Sequence, residues 1–61
     1  MREINSFERL QVIEHLRSKN VQEYTMQPGN DCVWVRAQHG GFVLNYYYIF
    51  REGRIVDIQV E

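Results

Sequence analysis

Phe42-Val43-Leu44-Asn45-Tyr46-Tyr47-Tyr48-Ile49-Phe50 is apolar or aromatic at every position but Asn45, in a chain of 61 residues. The run is far short of the roughly 20 residues a helix needs to cross a bilayer. It reads instead as a central β-strand with apolar side chains on both faces. A strand of that kind carries more apolar surface than one helix can cover.

Length makes that surplus consequential. A chain of this size buries only about 60% of its unfolded surface and is marginally stable. It needs an unusually apolar core, a staple or a partner. Cys32 is the sole cysteine, which excludes an internal disulfide. His15 and His39 have no Cys-x-x-Cys or His-x-x-x-His neighbour, so neither a structural zinc nor any other cofactor is expected. Core and partner remain.

Seven basic and eight acidic residues leave a net charge of −1. Nucleic-acid binding rests largely on phosphate neutralisation and usually brings a basic excess, so the balance lowers that reading. Met1-Arg2-Glu3-Ile4-Asn5 leads into an amphipathic segment rather than a signal peptide. With a lone thiol, that predicts a reducing, cytoplasmic location.

Asn5-Ser6-Phe7-Glu8 has capping-box spacing. From there Phe7, Leu10, Ile13 and Leu16 recur at three-residue steps, with Val12 widening the stripe. Arg9 and Arg17 fall in the same arc and would have to reach out to water. Glu8, Gln11, His15, Ser18 and Lys19 make the opposite, solvent-facing side. The spacing predicts one helix over about 6–19. Everything afterwards reads as strand and turn, with strands over about 21–27, 32–39, 42–50 and 54–60. The fold class is α+β: one N-terminal helix packed on a four-stranded antiparallel meander, α-β-β-β-β, in a single small domain over 1–61.

Turn chemistry sets the registers. A two-residue turn at Gly40-Gly41 pairs Ala37 with Leu44, Val35 with Tyr46 and Val33 with Tyr48. A three-residue loop at Arg51-Glu52-Gly53 pairs Tyr48 with Val56, Tyr46 with Ile58 and Leu44 with Val60. A two-residue turn at Glu52-Gly53 would put Asp57 and Gln59 on the apolar side. A four-residue loop at Pro28-Gly29-Asn30-Asp31 pairs Met26 with Val33 and Tyr24 with Val35. The three turns assemble one apolar face from Tyr24, Met26, Val33, Val35, Ala37, Leu44, Tyr46, Tyr48, Val56, Ile58 and Val60. Tyr46 and Tyr48 become core residues whose hydroxyls must reach the sheet margin or a polar partner.

The same registers put Trp34, Tyr47, Ile49, Ile55 and Cys32 together on the other face, rimmed by Arg36, Asn45, Asp57 and Glu23. Trp34 and Tyr47 could simply cover each other as a cross-strand pair. Aromatic anchors with Arg nearby and a polar rim are also the anatomy of a binding face. Marginal size and missing staples favour the binding face. The expected function is a small non-enzymatic protein-interaction module, acting as a homodimer or as an adaptor or inhibitor of another protein. The alternative is a single-stranded nucleic-acid module, stacking bases on Trp34 and Tyr47 with Arg36 and Arg51 at phosphates. Glu23 and Asp57 count against it. The last strand, Ile55 to Val60, is an open edge with Asp57 as its one guard, a second route to a partner.

Catalysis finds little support. Cys32 and His39 lie seven residues apart on one strand, about 23 Å, and point to opposite faces. Asp57 is a rim charge. Gly29, Gly40, Gly41 and Gly53 are explained by turns, not by a phosphate-cradling loop. Glu52-Gly53-Arg54-Ile55-Val56-Asp57 resembles the last hairpin of nuclear-transport-factor-like domains, where an acidic-Gly-basic-Ile-Val run is common. The resemblance covers one hairpin, on a chain about half the length of that cone-shaped fold, and implies no function.

Overall fold

A computed structural model describes residues 3–61. Helix α1 (Ser6–Ser18) is followed by β1 (Tyr24–Pro28), β2 (Cys32–His39), β3 (Phe42–Arg51) and β4 (Arg54–Val60). The strands form one antiparallel sheet in the order β1-β2-β3-β4, with the helix on one face. The α-β-β-β-β arrangement is the one expected from the sequence.

Both ends of α1 are built by side chains in the sequence. Asn5 Oδ1 accepts the Glu8 N–H at 2.8 Å and Glu8 Oε1 accepts the Asn5 N–H at 3.4 Å, the reciprocal capping box. At the other end Asn20 takes φ +60°, and its N–H reaches Arg17 O. The Val21 N–H reaches back to Leu16 O, and both side chains are buried. This is a Schellman stop with its apolar clasp. Val21 therefore closes the helix instead of opening a strand, and β1 begins three residues later than expected.

The helix faces the sheet differently from the expected stripe. Glu8, Val12 and Leu16 are buried, with Gln11, Ile13 and His15 partly so, whereas Phe7 and Leu10 are 62% and 53% exposed. The reason is that the sheet side offers polar partners. Gln11 Nε2 donates to Gly53 O at 2.7 Å, and Gln11 Oε1 accepts the Ile55 N–H at 3.3 Å. His15 Nδ1 meets the Tyr48 hydroxyl at 2.8 Å. Hydrophobic periodicity treats every polar side chain as solvent-facing. Here Gln11 and His15 bond to the sheet, and Glu8 is buried at the capping box.

The β2–β3 hairpin has the expected register, from His39 opposite Phe42 to Cys32 opposite Ile49. Each outer hairpin is displaced by two residues. Met26 lies opposite Val35 and Tyr24 opposite Ala37; Tyr48 lies opposite Ile58 and Tyr46 opposite Val60. An even displacement keeps a side chain on its face, so Tyr24, Met26, Ile58 and Val60 stay on theirs. In the first hairpin Asp31, not Gly29, holds the left-handed conformation. Gly29 lies close to Cys32: a Cβ there would lie 2.8 Å from Cys32 Sγ, which would have to turn aside. Its N–H donates to Cys32 O, so by alternation the missing N–H of Pro28 falls on the open edge, where no ladder bond is lost.

The last hairpin turns in two residues, with φ +54° at Glu52 and +80° at Gly53, the type I′ pattern. That turn alone would put Asp57 and Gln59 on the core side. A bulge repairs it: Phe50 is opposite Ile55 and Ile49 opposite Asp57, leaving Val56 as the extra residue. Ile55 thereby moves to the helix side, where it packs against the core, and Val56 becomes 54% exposed.

The core comprises Val12, Leu16 and Val21 from the helical segment and Val33, Val35, Ala37, Tyr46 and Tyr48 from β2 and β3. A fully buried side chain of this size contributes about 1.5–3 kcal/mol. No buried side-chain nitrogen or oxygen among the described residues lacks a partner.

Candidate interaction face

The outer face is organised in ranks across the four strands. The central rank is Gln27, Trp34, Tyr47 and Gln59. On one side lie Thr25, Arg36 and Asn45, continued by Glu61, whose backbone exchanges both hydrogen bonds with Asn45 at 2.9 Å. On the other side lie Cys32, Ile49 and Asp57. Seven of the eight residues expected to form the face are therefore on it. Ile55 is the exception, carried to the other side by the bulge.

Trp34 and Tyr47 lie directly opposite each other on β2 and β3. Their rings stack at 6.4 Å between centroids with 6° between planes, and both are half-buried. The indole N–H donates to Asn45 Oδ1 at 3.1 Å. Asn45, the one polar residue in the apolar run of β3, thus fixes the orientation of Trp34 from the next rank. Ile49 and Cys32 flank the pair and are also half-buried, while Arg36 and Asp57 are exposed. A shallow open depression of about 290 Å³ adjoins Arg36, lined by Glu23, Tyr24, Thr25, Arg36, Ala37, Gln38 and Val43. The face is therefore flat and aromatic at the centre and polar around it.

The edge of β4 is closed by its own side chain. Glu61 points its backbone toward β3, so by alternation the Ile58 N–H points to the open edge. Asp57 Oδ1 accepts that N–H at 2.9 Å, and Gln59 Nε2 reaches Asp57 Oδ2 at 3.4 Å. A bulge and a carboxylate folded onto the edge both discourage strand addition.

On the helix side the structure assembles a constellation that the sequence reading missed. Tyr48 meets His15 as described, and the Tyr46 hydroxyl lies 3.0 Å from His39 Nε2. The two phenol rings stack at 6.0 Å, and His15 sits edge-on to both at 5.6 and 5.3 Å. The expected polar partners of Tyr46 and Tyr48 are thus the chain's two histidines. His15, read from sequence as a solvated surface residue, is instead part of the helix–sheet seam. Its signal was its spacing of three and four residues from Val12 and Gln11, which face the sheet with it. Burial, then the nearby Lys19 charge, lowers the His15 pKa below its ordinary 6.5. Burial, then neighbouring Tyr46, raises that of Tyr48.

Among the described residues no group of three or more His, Cys, Asp or Glu side chains is placed to hold a metal ion. No helix among them is long and apolar enough to cross a membrane. No family model, curated protein or solved structure matches the chain.

Proposed function

We infer that the chain is a small, non-enzymatic protein-interaction module that docks through the outer face of its sheet. The observation that carries this reading is the Trp34–Tyr47 stack, anchored by Asn45 on a face that no other element among the described residues covers. Interface energy concentrates in a few aromatic and Arg anchors held in place before the partner arrives. Two stacked rings with the indole N–H already engaged lose little further freedom on docking. Cys32 and Ile49 extend the apolar centre, and Arg36, Asn45 and Asp57 supply the rim. The edge route is the weaker one, because Asp57 and the bulge occupy it.

A photo-cross-linking side chain tests the face directly. With p-benzoylphenylalanine in place of Tyr47, adducts form with protein, either the chain itself or another; the same group in place of Phe7, on the exposed side of the helix, gives few. Trp34→Ala suppresses the adducts formed from position 47. Adducts from position 7 alone would remove the sheet face from the function, and adducts to single-stranded nucleic acid from position 47 would select the base-stacking alternative.

A further inference from the structure

We propose that the occupant of the outer face is a second copy of this chain, related by a two-fold axis running along the strands between β2 and β3. The inference rests on the interaction reading above and adds the partner and its orientation.

Such an axis lays β2 of one copy over β3 of the other, and β1 over β4. Residues directly opposite within one sheet are then the residues that meet across the interface, because an isologous contact sets residue i on j and j on i. The ranks of the outer face satisfy this twice over. Trp34 falls on Tyr47 of the second copy, Cys32 on Ile49, and Gln27 on Gln59. In the next rank Arg36 falls on Asn45, and Thr25 on Glu61. Aromatic meets aromatic, thiol meets aliphatic, amide meets amide, and none of these pairs sets like charges together. A two-fold axis across the strands through the Trp34 rank instead brings Asp57 onto Glu61, two carboxylates. Such juxtapositions cost several kcal/mol in an interface.

Area is sufficient for a modest dimer. Four strands about 4.8 Å apart and the five outward positions of β3 (Val43, Asn45, Tyr47, Ile49 and Arg51) about 6.7 Å apart, with β1 and β4 filling part of that length, give a footprint of roughly 500 Å² per copy before corrugation. Two copies then bury on the order of 1,000–1,300 Å², at the lower end of specific interfaces. The net charge of −1 adds little repulsion between copies. The edges are poor alternatives, with Asp57 and the bulge on β4 and Pro28 on β1.

Gln27 and Gln59 test the axis. Both are exposed and lie on opposite edges of the sheet, about 14 Å apart within one copy but facing each other across the proposed dimer. Sedimentation equilibrium of the full chain, from about 1 to about 500 µM to bracket weak interfaces, is expected to show a reversible dimer. Gln27→Glu with Gln59→Glu sets carboxylates against each other and raises the dissociation constant at least about tenfold, or roughly 1.4 kcal/mol. Gln27→Glu with Gln59→Lys binds as tightly as the unsubstituted chain or tighter. Thermal unfolding monitors that both variants keep the fold. Equal dissociation constants for the two variants would overturn the axis, and a monomer throughout the range would overturn the second copy while leaving heterologous docking intact. The interaction reading falls separately, when a dimer forms that neither variant nor Trp34→Ala weakens.

Discussion

Tyr48 has no exposed surface, and its hydroxyl is satisfied by His15 Nδ1 at 2.8 Å. With both groups neutral, one proton lies between the two atoms. A second proton on His15 would leave the buried O–H without an acceptor, at a cost of about 1–3 kcal/mol. This agrees in direction with the lowered His15 pKa, caused first by burial and then by Lys19, and with the raised phenol. Because the folded value lies below the unfolded 6.5, the unfolded chain binds the proton more readily. The His15 contribution to stability is therefore complete above about pH 6.5 and is lost as pH falls from there through its lowered folded value. Urea unfolding midpoints between pH 8 and pH 5 are expected to decline across that window, and less steeply in His15→Asn, which keeps an acceptor near the Nδ1 position. NMR titration should find more than half of His15 neutral at pH 6.5. An imidazole titrating above 6.5 would contradict the seam geometry. Tyr48→Phe should cost about 1 kcal/mol, or about 4–8 °C in the melting temperature of so small a domain.

At the scale of elements, parity was legible where register was not. Tyr46 and Tyr48 point to the helix and Tyr47 away from it, as the turn residues implied. Both outer hairpins sit two residues from their expected registers because the chemistry that decides them is local and steric. Asp31 takes the left-handed backbone that glycine adopts most readily, while Gly29 keeps an ordinary one beside Cys32 Sγ. At the last hairpin a two-residue turn and a bulge together imitate the facing of a three-residue loop, so Ile58 and Val60 fall on the expected side, whereas Ile55 packs on the core and Val56, expected there, is exposed. A bulge leaves no mark in an alternating pattern beyond one extra residue. The turn also contains a strained choice. Glu52 holds φ +54° without being Gly, Asn or Asp, at a cost of about 1 kcal/mol. Glu52→Asn creates Asn-Gly, the preferred type I′ pair, and should raise stability by about 0.5–1 kcal/mol in thermal unfolding. No change, or a loss, would mean that Glu52 makes a compensating contact.

For the molecule as a whole, the helix orientation and the open face belong to one problem. A single helix cannot cover both sides of a four-stranded sheet, and here it buries a mixed stripe of Glu8, Gln11, Val12, His15 and Leu16 while Phe7 and Leu10 face outward. The sequence could not reveal that stripe, because the acceptors and donors that draw Gln11 and His15 inward arise only when β3 and β4 are in place. The outer face was more legible, since Trp34, Tyr47 and Ile49 follow from the β2–β3 turn alone. What stacking changes is its character: the aromatic rings lie parallel, with the indole N–H held by Asn45, and form one platform. Trp34 is the only tryptophan, so its fluorescence reports on that platform without a label. The decisive measurement is acrylamide quenching of Trp34 on dilution, read beside sedimentation of the same samples. The account predicts that quenching rises and emission shifts to the red over the concentrations at which the dimer dissociates. Quenching that stays constant while the dimer comes apart would place the contact elsewhere on the molecule.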